Sequence, residues 1–393
     1  GPRRLPVGTL HEWSPMAPSG REVGRNWQLV IVGGGLAGLA TAASCARRGI
    51  GPILLIEQES RPGSHSSGRN SGLIRRVAEN PLTTRLCIEG ADEIEALWSS
   101  RRNNRPFRRS GSVIFDPSGE IADGCWSQVP FSRWNEAQFR SMFPEFQQLP
   151  PGEARFVEAD GILEVPALLG HFAAQARDAG VELRMGSHAH HPRIEGGRFS
   201  SIHIDGIEVE SEALVVASGA WAGQWSKAAG VPIELTPYLR SCVHSDPIGQ
   251  PPHLRPWIWA HDPGWYLKFG IDNTLWSACE EIADQPGRAT VCGDPWQQVK
   301  ERVGSSIGAI EALKPRHIWA GHRNFCRDRQ FLLGPDPRIE GWHWAVGLGG
   351  HGVTASPAVG RRVAAGIIEG LDGLEPELCW SEERFPMNRA GTT

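Results

Sequence analysis

Lysine is scarce in this chain. Among 393 residues, 40 are basic, yet only Lys227, Lys268, Lys300 and Lys314 are lysine. That bias follows source composition and carries no functional reading. The formal net charge of −4 leaves no basic field of the kind that binds nucleic acid. No apolar run approaches the roughly 20 residues that a membrane-spanning helix needs. The eight cysteines, at 45, 87, 125, 242, 279, 292, 326 and 379, form no C-x-x-C pair and no regular spacing. This speaks against a disulfide framework in a chain of this length and predicts buried free thiols in a reducing compartment. Residues 1–26 are rich in Pro, Gly and Arg and lack the apolar centre of a signal peptide. They read as an irregular leader, Arg3-Arg4 being a false twin-arginine signal, and a cytoplasmic location is expected.

Against those absences stands one strongly patterned stretch, Trp27 to Glu57. An apolar strand pattern, Leu29 to Val32, meets Gly33-Gly34-Gly35. A helix pattern from Leu36 to Arg48 follows, with Gly49 placed to end it. A second apolar run, Ile53 to Ile56, closes on Glu57. Gly33, Gly35 and Gly38 have the G-x-G-x-x-G spacing. The first allows a tight turn, the second a close approach of backbone to pyrophosphate, and the third close helix–strand packing. The helix start, with Leu36 and Ala37, offers free N–H groups and partial positive charge. Glu57 and the adjoining Gln58 stand where a carboxylate would take ribose hydroxyls. The stretch predicts a dinucleotide site, NAD or FAD.

Beyond it, residues 61–76 (RPGSHSSGRNSGLIRR) form a small polar loop suited to close ligand contact. A helix is expected over 82–98, a strand over 112–115, irregular chain over 117–135, and a short helix over 136–143. Asp160 to Arg177 reads as a strand then an amphipathic helix, followed by a strand over 181–185. Residues 193–210 suggest an antiparallel meander turning at Gly196-Gly197 and Asp205-Gly206. Leu214 to Ala217 is a buried strand. From about Pro232 to Ile318, tryptophans recur in short strand-like pieces such as WIWA, WYLKF and TLWSA, interrupted by a helix over 296–313. A strand over 342–346, a Gly-rich turn and a helix over 358–369 close the pattern. The fold expected is α/β: a Rossmann-like nucleotide domain (27–105, 155–230 and 335–375), crossed with a mainly antiparallel β-sheet domain (106–154 and 231–334). Residues 376–393 read as a tail.

Four separated pieces carry a family resemblance: the fingerprint, HSSGRNSG at 65–72, LVVASGAWAG at 214–223, and GLGGHGVTASPAVGR at 347–361. Together they resemble the D-amino-acid oxidase-like flavoprotein superfamily, the glycine and sarcosine oxidase group. PGSHSSGRN, WYLK, WAGHRNF and GGHG look most similar to bacterial D-arginine dehydrogenase-type enzymes. The resemblance implies FAD. It would place Ser66, Ser67, Gly68, Arg69 and Asn70 along pyrophosphate and flavin edge, and Gly219 at the adenosine side. Gly349, Gly350, His351, Gly352, Val353 and Thr354 would lie under the isoalloxazine. The cysteine that tethers flavin in sarcosine oxidases is replaced by Gly321 or a neighbour, with Cys326 offset, so non-covalent FAD is expected; His65 is the alternative tether. The oxygen-activating lysine of sarcosine oxidases has no clear counterpart, Lys268 being nearest but out of register, which leaves oxygen, a quinone or a protein open as acceptor.

A small acid oxidised by hydride transfer to flavin N5 needs its carboxylate held, most directly by a bidentate arginine. Arg323 matches a family position of this kind; the plainer alternative is an ion pair with Asp328. Arg240 is a second candidate, and Arg75 and Arg76 face either site or solvent. Tyr266, one of only two tyrosines, matches a substrate-contacting position. The Gly350 carbonyl is placed to accept from an amine, and His351 and His65 are further site candidates. An amine substrate needs no protein base, whereas an alcohol needs one such as His351 or His65. The reading is therefore an FAD-dependent amino-acid or amine dehydrogenase or oxidase, giving an imine that hydrolyses to a keto acid. Its alternatives are a 2-hydroxy-acid dehydrogenase and a non-catalytic flavin-binding assembly factor. No metal site is expected; in the HAHH run, His188 and His190 share a strand face without a third ligand.

Overall fold

The computed structural model describes residues 26–386 apart from 102, 250–253, 284–285 and 305, with Cys279 described in backbone only. The expected leader, up to residue 25, and the last seven residues of the tail lie outside this range.

Strand Trp27–Val32 is buried at all but one position, as a central parallel strand must be. It pairs in parallel with Ile53–Glu57 on one side and with the end of Ile207–Val216 on the other. Glu182–Met185 extends the sheet beyond Ile53–Glu57, and Trp342–Val346 beyond Ile207–Val216. Helices Leu36–Arg47, Val165–Asp178 and Gly352–Glu369 pack one face, their apolar side chains forming a single core with Leu29, Ile31, Ile53 and Leu55. The expected meander is present as Ala189–Glu195, Arg198–Ile204 and the outer half of Ile207–Val216. Its turns fall at Gly196-Gly197 and Asp205-Gly206, all with φ in the left-handed region.

The second sheet is mainly antiparallel. Its order is Pro315–Cys326, Leu235–Ser245, Thr274–Ile282, Trp265–Phe269, Trp257–Ala260, Ser112–Phe115, Ala154–Val157 and Ser132–Trp134. Only Trp257–Ala260 against Ser112–Phe115 runs parallel. One face carries a core of Trp265, Trp276, Trp296 and a phenylalanine cluster; the other turns towards the first sheet. The fold is thus α/β, a Rossmann-like parallel sheet with a mixed, mainly antiparallel partner. The chain expected to recross at 155 first completes strand Ala154–Val157 of this second sheet.

Several local expectations are corrected. The helix expected over 296–313 ends at Val303 and is followed by a 3-10 turn at Gly308–Ala312. Gly304 and Gly308, each about 1 kcal/mol poorer than alanine in a helix, mark the break. The segment 117–135 contains a helical turn, Asp123–Trp126, and an edge strand, Ser132–Trp134. The last helix starts at Gly352 rather than Ala358. Pro357 lies inside it, and the Val353 carbonyl that the missing proline N–H leaves over accepts from the Ser356 hydroxyl at 2.9 Å. His188 precedes strand Ala189–Glu195, so it does not share a strand face with His190. Among the described residues no group of metal ligands occurs, and no helix is long and apolar enough to cross a membrane. The described cysteines are free, all buried except Cys292.

Candidate active site

The fingerprint turn is built as its spacing requires. Gly33 has φ +115°, and a Cβ there would meet the Ala217 carbonyl carbon at 2.8 Å. A Cβ on Gly38 would overlap the Gly33 carbonyl oxygen, so the helix sits directly against the turn. Glu57 closes the far side. Its Oε2 accepts from Gly34 N–H at 2.7 Å and its Oε1 from Glu59 N–H at 2.9 Å. Burial nonetheless pushes its carboxyl above the ordinary value. The Leu36 amide, one of the helix's unpaired N-terminal donors, takes Ser67 Oγ at 2.9 Å.

From this cradle a cavity of about 690 Å³ runs between the two sheets. Its walls include Gly33, Gly35, Leu36, Ala37, Glu57 and Gln58 at one end. The polar loop contributes His65, Ser66, Ser67, Arg69 and Asn70, and the crossing turn contributes Gly219 and Trp221. All of Gly349 to Thr354 line it, as do Arg75, Arg240, Tyr266 and Arg323. Gly38 and Gly68 do not reach the wall. Gly38 packs on Gly33, and Gly68 closes a turn on His65, its N–H donating to that carbonyl at 2.9 Å. Asn70 organises its own loop, donating to the carbonyls of Ser66 and Ser67 and accepting from Gly72 N–H. Arg69 reaches across to the Ala289 carbonyl.

The closing turn brings the second sheet onto the first. Gly349 N–H donates to the Asn324 carbonyl at 2.8 Å, and a Cβ at Gly350 would sit 3.2 Å from Arg323 Cζ. The Arg323 guanidinium therefore lies against the glycine turn, with 26% of its side chain open to the cavity. Among the described residues it makes no hydrogen bond. Its partner is Glu280, at 3.9 Å; Asp328, the alternative weighed from sequence, is instead taken by Arg384. Arg240 is already committed, its Nε donating to Ser277 Oγ at 2.7 Å. Burial, then the charge of Arg323, pull Arg240 below the ordinary arginine value. Tyr266 packs its ring under Arg240 and sets its hydroxyl 3.5 Å from Cys242 Sγ; burial raises its pKa, so it is a neutral phenol. Arg76 faces neither site nor open solvent: it is buried and paired with Asp92, Glu95 and Asp160.

On the opposite wall Arg75 lies 3.8 Å over the Trp259 ring and donates to Glu79 at 2.9 Å. His351 Nε2 is 2.7 Å from Glu79 Oε2 and 2.8 Å from Arg75, and its Nδ1 faces Cys87 Sγ at 3.6 Å. Both ring nitrogens are thus occupied, leaving Glu79 as the group of this cluster with the more open surface. Burial pulls His351 below its ordinary value against the charge of Glu79, so the ring is neutral. Burial alone would raise Glu79, but Arg75 and His351 hold it well below the usual carboxylate range. Lys268 is half-buried, desolvation pulls its pKa down to about 8, and it donates to the Ser71 carbonyl rather than lining the cavity.

Residues 28–365 match the family model described as FAD dependent oxidoreductase, DAO. The chain belongs to the DAO family. Its similarity to a curated Bos taurus "FAD-dependent oxidoreductase domain-containing protein 1" is 26% identity, covering 91% of this chain and 84% of that one. Glycine oxidase of Geobacillus kaustophilus is 24% identical, covering 86% and 92%. Among solved structures, L-proline dehydrogenase of P. horikoshii superposes with a TM-score of 0.77 at 20% identity, covering 88% and 95%. At such identity the last shows fold alone.

Membership of the DAO family implies FAD, and the cavity fits it. Along its walls His65 Nδ1, Ser218 Oγ, His322 Nδ1 and Asn324 Oδ1 are buried with no hydrogen-bond partner among the described residues, a pattern that suits a polar ligand. A side chain at Gly321 would overlap the Arg69 carbonyl, so a tethering cysteine has no room at that position. His65 gives its Nε2 to Glu59 at 2.9 Å. Of the tryptophans that the sequence offers as walls of a substrate pocket, Trp257 and Trp259 line the cavity and Trp276 lies in the core; Glu79, Glu280 and His322 were not singled out from sequence. WAGHRNF displayed His322 and Asn324 without marking which face they would take. Nothing local marked Glu79 or Glu280.

Proposed function

We infer that this DAO-family chain oxidises the Cα–N bond of a small amino acid or related amine, giving an imine that hydrolyses to the keto acid. The observation that carries this is Arg323: a guanidinium with no hydrogen bond among the described residues, held against the closing glycine turn inside the nucleotide cavity. Five unspent donors deep in a protein are costly unless an anion takes them. A planar fork there suits a carboxylate. FAD, when bound, supplies the two-electron acceptor. The chain's own part is to hold the carboxylate on Arg323 and to offer the Gly350 carbonyl to the amine. Tyr266 is proposed to face the substrate as a neutral donor, with Arg240 fixing the wall behind it. His65, Arg75 and His351 are proposed to shape the far side. A D-arginine-type side chain falls within this reading, as do other small amino acids.

A 2-hydroxy acid is the second reading, and the His351–Glu79 pair favours it, because a hydroxyl proton needs an acceptor. Anaerobic mixing of the FAD-bound protein with matched amino and hydroxy acids tests both. Bleaching of the flavin by amino acids is expected. Bleaching by hydroxy acids alone refutes the first reading, and bleaching by neither favours a flavin-binding role without turnover.

A further inference from the structure

Strand alternation would not bring Glu280 to the cavity; a bulge does. Thr274–Ile282 pairs with Leu235–Ser245 as Arg240 opposite Glu280 and Ser241 opposite Cys279, then Val243 opposite Trp276. Two steps on one strand match three on the other, so an extra residue sits at Ser277-Ala278. Residues three apart on a regular strand face opposite sides. Here Ser277 and Glu280 both face Arg240, whose Nε donates to Ser277 Oγ at 2.7 Å and whose Nη1 lies 3.5 Å from Glu280 Oε2. Bulges of this sort re-aim a side chain.

Glu280 does not close on either arginine. Charge-assisted pairs settle near 2.7–2.9 Å, and Glu145 grips Arg255 in the same domain with two contacts of 2.9 Å. Glu280 stands 3.5 Å from Arg240 and 3.9 Å from Arg323, with 30% of its side chain open. Of the other cavity-lining carboxylates, Glu120 stands 3.6 Å from His261, and the remaining two are spent. Glu57 takes two backbone amides, and Glu79 takes Arg75 and His351. Beside the Arg323 guanidinium, which makes no hydrogen bond among the described residues, is then one carboxylate with acceptor capacity left.

An α-amino acid carries its carboxylate and its ammonium on one carbon, so by bond geometry the two charges lie within roughly 4 Å of each other. Arg323 and Glu280 present the complementary charges 3.9 Å apart. We propose that Glu280 is the specificity-determining residue for the amine: Arg323 takes the carboxylate and Glu280 the ammonium. The site thereby prefers zwitterionic amino acids to 2-hydroxy acids and amine-free carboxylates, which would set a carboxylate on Arg323 beside Glu280 without the ammonium that offsets the repulsion between the two. This rests on the amino-acid reading above.

The test compares FAD-bound wild type with Glu280→Gln and Glu280→Asp. Dissociation constants are read anaerobically from flavin spectral changes for glycine, alanine and proline, each matched with its amine-free carboxylate. In Glu280→Gln, amino-acid binding should weaken at least about tenfold while the amine-free acids bind more tightly; Glu280→Asp should restore part of the preference. If both ligand classes weaken together, Glu280 merely orders the arginines and the proposal is overturned. An unchanged ratio overturns it as well. A wild type that amino acids neither perturb nor bleach instead refutes the functional reading itself, and this inference with it.

Discussion

Replacing Arg323 with methionine should separate function from stability in a way few buried substitutions do. Removing one partner of a buried ion pair ordinarily destabilises by several kcal/mol, because a charge is left uncompensated. Arg323 differs: it donates no hydrogen bond among the described residues, its carboxylate neighbour is 3.9 Å away, and it opposes the charge of Arg240. Methionine fills much of the same space without that charge, and Glu280 keeps Arg240 at 3.5 Å. The melting temperature of the FAD-bound protein should therefore hold or rise. Binding of an acid should suffer heavily. Two charge-assisted hydrogen bonds of a bidentate pair are worth about 1.5–3 kcal/mol each. Their loss lowers kcat/KM by roughly 10² to 10⁴. Arg323→Lys keeps the charge but loses the fork and should fall between. The assay is anaerobic flavin reduction with whichever amino acid bleaches the wild type, beside a thermal melt. A variant that melts several degrees lower yet reduces its flavin at the wild-type rate would make Arg323 structural.

Two further outcomes follow from the scaffold. Gly38→Ala puts a methyl group into the Gly33 carbonyl; overpacking of this kind costs about 1–3 kcal/mol. The variant should purify with less FAD, read as a lower ratio of flavin to protein absorbance, and full retention would contradict the close packing. His343 is buried in strand Trp342–Val346, and burial pulls its pKa down to about 4. The unfolded chain, with an ordinary histidine, therefore binds the extra proton first. That contribution to stability is intact above pH 6.5 and is lost as pH falls towards 4, by about 3 kcal/mol in total. Half-buried His244 acts in the same direction. Asp160, raised by burial to about 6, opposes both below that pH. Urea unfolding of His343→Leu should consequently show a shallower acid slope than wild type; an identical slope would mean the histidine titrates normally.

Legibility in the sequence divides along the cavity. The nucleotide end is assembled by neighbours in the chain: strand, turn, helix and acid all fall within residues 27–57, so local pattern carries the geometry. The family strings then located the flavin loop, the crossing turn and the closing turn, and all three line one cavity. Where the local rule and the fold disagreed, a side chain made the difference. Pro357 reads as a helix boundary because proline removes an N–H; the Ser356 hydroxyl meets the carbonyl so exposed, and the helix runs on to Gly352.

The substrate end is written in long-range pairings that no window displays. Glu79 meets His351 across 272 positions, and Arg75 meets Trp259 through a ring face. Glu280 enters only because an extra residue in one strand inverts its side, and periodicity read on TLWSACEEI cannot say whether that inversion occurs. Arginine–acid spacing misled for a related reason. Asp328 is five residues from Arg323, but the intervening turn directs it to Arg384 instead. The acid that Arg323 does meet, Glu280 at 3.9 Å, comes from another strand far along the chain and forms no hydrogen bond with it. Its donors therefore stay open to an incoming acid, which is what the proposed carboxylate anchor requires.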